Sequence, residues 1–139
     1  MFKTIIWASD CSWPASNARP IAEDLARSNH AKLIVAYAQE GGLMGHVFPE
    51  QGEATPEHML RETVSELRRD GIDAELIVKR SGTGGEAKAI ADLATETGAD
   101  LIVAGNAGHG ATAGTILGSV IGRLLHFAPC PVLTVPVKH

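Results

Sequence analysis

The sequence predicts an α/β fold in which a parallel sheet of five strands is covered by helices on both faces. Five short apolar runs rich in Val and Ile alternate with segments that repeat apolar residues at helical spacing. The apolar runs are continuous rather than alternating, which is typical of strands buried on both faces. This alternation of strand and helix patterns indicates a parallel sheet with right-handed crossovers and with helices on both faces.

Each element has its own local signals. The predicted strands are 4–9, 32–38, 74–80, 100–105 and 130–137, and the predicted helices are 14–29, 56–70, 85–97 and 118–127. Pro20 lies inside the first helical segment, so that helix either starts late or kinks there. Pro56 and Gly71 suit the start and the stop of the second helix. The glycine-rich segment 39–55 is interpreted as a surface loop, with a lid or a partner surface as alternatives.

Length, composition and charge narrow the class of protein. The 139 residues fit one domain, 1–139, and 45% hydrophobic with 20% charged residues is typical of a soluble globular chain. The formal net charge of -4 argues against a nucleic-acid partner. No apolar run approaches the roughly 18 residues of a membrane span, and the apolar start is too short for a signal peptide. We therefore expect a cytoplasmic protein without a membrane partner.

The residues show no catalytic or metal-binding set. Cys11 and Cys130 are expected at opposite edges of the sheet, so a disulfide is not predicted. The six histidines have no metal-ligand spacing, and neither a Ser-His-Asp nor a Cys-His arrangement has supporting context. No catalytic residue and no metal ligand is predicted.

The segment 105–119, GNAGHGATAGTILGS, is the strongest candidate for a binding loop. In parallel sheets ligands bind beyond the carboxyl ends of the strands, and this loop follows the fourth strand. Gly105 and Gly108 would let the backbone approach a ligand, and Ser119 would stand where helix N–H groups attract an anion. A flexible loop with an ordinary Ser cap explains the same residues, so both interpretations stay open at this point.

Two other phosphate motifs are not supported. A Walker A sequence, with lysine before Ser or Thr, does not occur. The segment 82–87, GTGGEA, nearly matches a dinucleotide fingerprint. However, Asp100, the acid that would hold a ribose, opens the next strand at the wrong edge of the sheet. We interpret 82–87 as a turn that leads into a helix.

The long loop and its flanks resemble the universal stress protein family. That family's ATP-binding branch has the signature G-x2-G-x9-G-[ST], which Gly105, Gly108, Gly118 and Ser119 meet. The lead-in ADLIVAG, the tail GSVIGRLLHFAPCPVLTV and the start IIWASDCS are similar to the family as well. The resemblance covers essentially the whole chain.

The resemblance implies a fold, a ligand and an assembly. The fold would be a five-stranded parallel sheet of order 3-2-1-4-5, and the assembly a homodimer through the C-terminal strand 130–137. An apolar edge strand is itself a liability that pairing would remove, although Pro136 would limit the ladder locally. The ligand would be ATP, ADP or AMP, with Mg²⁺, in a cleft over strands 1 and 4.

The resemblance also implies site residues. Ala8, Ser9 and Tyr37 would line the adenine, and Asp10 would bind the adenine or ribose edge. Gly105, Gly108, Gly118, Ser119 and Val120 would hold the ribose and the phosphates.

Departures from the family pattern affect the expected ligand and activity. Cys11 replaces the usual glycine after Asp10 and is expected to crowd the turn. Residues 109–117 contain no Lys or Arg. The phosphates would then depend on backbone N–H groups and a divalent cation, and AMP or ADP should bind about as well as ATP. Arg123 could reach the loop, but a surface role is favoured.

We therefore predict a regulatory module that binds an adenine nucleotide and is not primarily an enzyme. One alternative is a slow Mg²⁺-dependent ATPase or phosphotransfer protein, which the missing basic groups disfavour. Another is a nucleotide-free dimer that acts by protein contacts, which Asp10 and the glycine pattern disfavour.

Overall fold

The computed structural model describes residues 1–40, 55–106 and 119–137. In this part of the chain, strands and helices alternate as the sequence predicts. The strands are β1 Thr4–Ala8, β2 Lys32–Glu40, β3 Asp73–Ser81, β4 Leu101–Gly105 and β5 Val132–Val135. The helices are α1 Trp13–Asn17, α2 Arg19–Asn29, α3 Pro56–Arg69, α4 Gly85–Thr97 and α5 Ser119–Phe127.

The strands form one parallel sheet in the order β3-β2-β1-β4-β5. This confirms the predicted fold class and strand order. The order reverses between β1 and β4, because the chain builds outward from β1 in one direction and then returns to its other side. At such a switch point the loops after the two strands turn to opposite faces and leave a crevice.

Each face of the sheet carries its own apolar layer. Ile5 and Trp7 of β1 belong to one buried cluster, which includes Ala22 of α2 and Val64 of α3. Ile6 belongs to a second cluster on the opposite face, to which α4 and α5 contribute. The contributing residues of these two helices are Ala87, Ile90, Ala91, Leu93, Ala94 and Leu124. Burial on both faces explains why β1, β2 and β4 contain continuous apolar runs.

The first predicted helix, 14–29, is two helices. The break falls at Ala18, which ends α1 and precedes α2, and Pro20 occupies the first turn of α2. In a continuous helix the Pro20 ring would meet the carbonyl of Ser16, whereas in a first turn its missing N–H costs nothing. The sequence predicted a late start or a kink, and the structure instead has two separate helices.

The last strand is shorter than the predicted 130–137. β5 covers only Val132–Val135, with Pro131 before it and Pro136 after it. The Pro131 carbonyl still accepts a hydrogen bond from the Ile102 N–H at 3.0 Å, but neither proline can donate to a ladder. Cys130 thus precedes the strand, and both cysteines are free thiols as predicted.

The loop predicted over 39–55 begins later than expected. β2 continues through Glu40, paired residue by residue with β3 up to Ser81. At the other end, Thr55 caps α3 by accepting a hydrogen bond from the His58 N–H at 3.1 Å. The intervening residues 41–54 lie outside the described part of the chain.

Candidate functional site

Three predicted site residues lie level with one another at the carboxyl edge of the sheet. In the register, Ala8 pairs with Ala36 and Trp7 with Val103. The next positions along these strands are Ser9 and Tyr37, and Gly105 ends β4 at the same height. The Ser9 N–H donates to the Ala36 carbonyl at 2.9 Å, so the backbone stays paired just past the end of β1. The structure therefore brings these three residues to the switch point.

The turn after β1 holds Asp10 through a set of local hydrogen bonds. Asp10 Oδ1 accepts from the Ser12 N–H at 2.9 Å, and Ser9 Oγ accepts from the Cys11 N–H at 3.2 Å. Ser12 Oγ then accepts from the Ala15 N–H at 3.3 Å and caps α1. Ser9 and Ser12 are both buried. Because its neighbours are fixed, the Asp10 carboxylate is held in place before any ligand arrives.

Cys11 occupies a backbone conformation that favours glycine. Its φ of 64° lies in the left-handed region, where a Cβ meets the following carbonyl group. Its Sγ lies 3.7 Å from the carbonyl oxygen of Pro56 at the start of α3, and its side chain packs on the first apolar cluster. Burial, and secondarily the Asp10 charge, raise the pKa of the thiol, which keeps it protonated near neutral pH. The turn thus accommodates a side chain where the family pattern has a glycine.

The predicted adenine-lining residues do not share one face. Ala8 packs against the second cluster, on the side of α4 and α5. Tyr37 packs against the first cluster, on the side of α2 and α3. Both are partly exposed at the sheet edge. The implied joint contact with an adenine stays a prediction, and it would require the base to lie across the edge.

Gly105 has a packing reason to be glycine. A Cβ at this position would lie 2.4 Å from the carbonyl oxygen and 2.5 Å from the carbonyl carbon of Pro14 in α1. Gly105 is buried, and its φ is not in the positive range. The close approach of the α1 backbone, rather than an unusual conformation, is therefore what excludes a side chain here.

Of the predicted phosphate-end residues, Gly108 and Gly118 lie outside the described residues. Ser119 is the first residue of α5, which was predicted over 118–127, and its role toward a ligand stays a prediction. Val120 lies in the first turn of the same helix with 38% of its surface exposed. The structure therefore describes only the helical end of this part of the site.

Arg123 lies one turn into α5 and crosses to the neighbouring helix. Its Nη1 would be 3.4 Å from a Cβ on Gly85, the first residue of α4, and its guanidinium carbon lies 5.8 Å from the Phe127 ring centroid. The side chain is exposed, which agrees with the favoured surface role.

Across 1–40, 55–106 and 119–137, no group of three or more His, Cys, Asp or Glu residues is arranged to hold a metal ion. In those same ranges, no helix has the length and apolar character needed to cross a membrane.

Sequence reasoning missed two residues that shape the site. Ser12 caps α1, although the helix was expected to begin at 14. Ser followed two positions later by Pro14 is a local signal for a capped helix start and could have revealed it. The contact between Pro14 and Gly105 has no local signal, because the two residues meet only when β1 and β4 are neighbours.

An open parallel sheet with a fixed carboxylate at its switch point defines a class of α/β proteins that take ligands at the carboxyl edge. The model of the universal stress protein family matches residues 1–136 of this chain. The chain belongs to the universal stress protein family.

Curated relatives agree with this assignment over nearly their full length. A universal stress protein of Synechocystis is 34% identical over 139 residues, which cover 98% of this chain and 87% of that protein. A universal stress protein of Thermus aquaticus is 34% identical over 138 residues, with 97% and 99% covered.

Solved structures share the fold, and two of them hold a nucleotide. A universal stress protein in complex with cAMP is 28% identical, with a TM-score of 0.72 and 96% and 97% of the two chains covered. A family member from Arabidopsis thaliana with AMP bound is 19% identical, with a TM-score of 0.67 and 98% and 92% covered. The second of these likenesses concerns the fold alone.

Proposed function

We propose that this protein is a regulatory module that binds an adenine nucleotide over β1 and β4. The observation that carries the proposal is the Asp10 carboxylate, which a hydrogen-bonded turn holds at the switch point of the sheet. A carboxylate so placed suits the hydroxyl groups of a ribose, because it accepts hydrogen bonds from both. The complex of a 28% identical family member with cAMP supports this choice of ligand class.

The rest of the nucleotide is assigned along the same edge. Ala8, Ser9 and Tyr37 would border the base, with Gly105 beside the ribose. The phosphates would be bound by Mg²⁺ and by the N–H groups around Gly108, Gly118, Ser119 and Val120. The N-terminus of α5 adds a favourable dipole for an anion there.

ATP, ADP and AMP are all candidate ligands. Residues 109–117 contain no lysine or arginine, so each added phosphate would gain little from ion pairs with side chains of this loop. We expect the three affinities to lie within about tenfold of one another, which corresponds to about 1.4 kcal/mol. For the same reason, binding that changes shape or partners is favoured over hydrolysis, which needs charge stabilisation at the γ-phosphate. A cytoplasmic location and a role in stress physiology complete the proposal.

The proposed assembly is a homodimer through the C-terminal strand. β5 pairs with β4 on one side, and Leu133 in its middle is 38% exposed. An edge strand that carries exposed apolar side chains is stabilised when a second copy covers it. A dimer that acts by contacts alone, without a nucleotide, has no observation of its own in its favour.

The test is nucleotide binding by the purified full chain. The protein is denatured and the released nucleotide identified by chromatography and mass. The emptied protein is then titrated with AMP, ADP and ATP in the presence of Mg²⁺. Loss of the carboxylate in Asp10→Ala should weaken binding at least about tenfold, since a hydrogen bond to a charged group contributes about 1.5–3 kcal/mol. Gly118→Val should also empty the site.

The matched control is Asp24→Ala. Asp24 is an aspartate on α2 whose side chain is 80% exposed, so its loss should leave nucleotide affinity unchanged. No release and no binding at millimolar nucleotide would refute the proposal. Steady production of ADP from ATP, abolished in Asp10→Ala, would instead favour the slow ATPase.

A further inference from the structure

The short helix α1 is held against the sheet from several directions. The Trp7 indole Nε1–H donates to the Ala15 carbonyl at 3.0 Å, and both residues are buried. At the far end of the helix, the Asn17 amide donates from Nδ2 to the Pro136 carbonyl at 2.9 Å. Between these bonds, the Pro14 backbone fills the space beside Gly105 where a Cβ would lie. The position of α1 thus depends on β1, β4 and the residues after β5.

The turn that carries Asp10 is directly tied to the start of α1. Asp10 Oδ1 accepts from the N–H of Ser12, and Ser12 is the residue that caps α1. A shift of α1 therefore moves Ser12 and changes where the Asp10 carboxylate points. The other end of the turn is anchored to the sheet, because the Ser9 N–H donates to the Ala36 carbonyl.

We propose that Gly105 is a positioning residue of the nucleotide site, which acts by admitting the α1 backbone and thereby fixing the turn that carries Asp10. This inference rests on the proposed function. It differs from a ligand contact in its physical cause, since the space that Gly105 leaves is filled by Pro14 rather than by a nucleotide.

The direct test is Gly105→Ala. Its Cβ would fall 2.4 Å from the Pro14 oxygen, so the backbone of α1 must move away. Because a misaligned Asp10 carboxylate loses its charge-assisted hydrogen bonds to the ribose, we expect AMP affinity to fall at least about tenfold. Gly122→Ala is the matched control, since a Cβ there meets no described residue within 4 Å and affinity should not change.

A spectroscopic readout separates α1 positioning from ligand contact. The indole N–H resonance of Trp7 reports the bond to Ala15 and is assigned by its loss in Trp7→Phe. In the nucleotide-free Gly105→Ala protein this resonance should shift and exchange faster with solvent, while that of Gly122→Ala stays in place. An unchanged indole resonance together with lost AMP binding would mean that Gly105 contacts the ligand directly, and would overturn the proposal.

A double-mutant cycle with Asp10→Asn tests the route of the effect. Asn keeps a side-chain acceptor for the Ser12 N–H but lacks the charge, so AMP binding should be weakened yet measurable. If Gly105 acts through Asp10, Gly105→Ala should cost less than about threefold in that background, because linked residues are not additive. Additive losses, as a ligand contact or general destabilisation would give, overturn the proposal.

Asn17→Ala provides a second variant in case Gly105→Ala does not fold. It loosens α1 from the other end by removing the bond to Pro136, and should move the same indole resonance and lower AMP affinity about twofold to fivefold. Its control is Ser16→Ala on the same helix, where the side chain is exposed. Unchanged resonance and affinity in Asn17→Ala would overturn the proposal. A wild-type protein that binds no adenine nucleotide would instead refute the proposed function, and the indole comparison would still decide whether Gly105 docks α1.

Discussion

Cys11 shows how one residue can oppose the local preference of the backbone. Its φ of 64° favours glycine, yet its side chain gains contacts with the first apolar cluster and with Pro56. A Cβ in the left-handed region costs roughly 1–2 kcal/mol. The packing of the side chain against α3 offsets part of that cost.

The strain at Cys11 predicts an unusual order of stabilities. Cys11→Ala loses the sulfur contacts and keeps the strained Cβ. Cys11→Gly also loses the sulfur contacts, but it relieves the strain. We expect the glycine variant to be more stable than the alanine variant by about 1 kcal/mol, measured by urea unfolding. At Cys130, whose φ is not positive, the order should be the usual one, with alanine the more stable. Alanine above glycine at position 11 would contradict the argument.

At the scale of elements, Asp100 joins the amino ends of β1 and β4. Its carboxylate accepts from the Lys3 N–H at 2.9 and 3.1 Å and from the Thr4 N–H at 3.1 Å. These donors begin β1, at the edge opposite to Asp10. This placement supports the interpretation that Asp100 is not a ribose-binding acid.

Removal of the Asp100 carboxylate should destabilise the sheet. Asp100→Ala leaves the N–H groups of Lys3 and Thr4 without this acceptor. We expect the free energy of unfolding, measured in urea, to fall by about 2 kcal/mol. Asp92→Ala is the control, because Asp92 forms an exposed pair with Lys88 worth about 0.5 kcal/mol. Equal losses in the two variants would argue against the role of Asp100. Nucleotide affinity should be unchanged in both.

At the scale of the whole molecule, the edge of the sheet predicts the assembly. We expect a dimer at micromolar concentration in sedimentation velocity. Leu133→Lys should weaken it about tenfold or more, since a charge, which is costly to bury, replaces a partly exposed leucine that the second copy would cover. Leu125→Lys, on α5 and 48% exposed, is the matched control. A monomeric wild type, or equal effects of both lysines, would exclude β5 as the interface.

The strands and helices could be predicted because their signals are local. Apolar runs, helical spacing and residues such as Pro56 act within a few positions, and Gly98 ends α4 in the left-handed conformation that favours glycine. One boundary, the end of β2, moved because the strand pairs with β3 up to Glu40, and two others moved at prolines. Pro20 is compatible with a break at Ala18, and Pro131 and Pro136 shorten β5 to four residues. That residues 1–139 form a single domain stays a prediction.

The class of fold, the resemblance to the family and the edge of the sheet proposed for a ligand could all be predicted from the sequence alone. Local sequence patterns are enough to predict the buried strands and the motif formed by Gly105, Gly108, Gly118 and Ser119. The reason that position 105 requires glycine is visible only in the folded chain, because the pairing of β1 with β4 brings Pro14 next to Gly105. The tertiary structure also separated Ala8 from Tyr37, since alternation along each strand sends their side chains to opposite faces. Such relations depend on which strands are neighbours, and no local pattern contains that information.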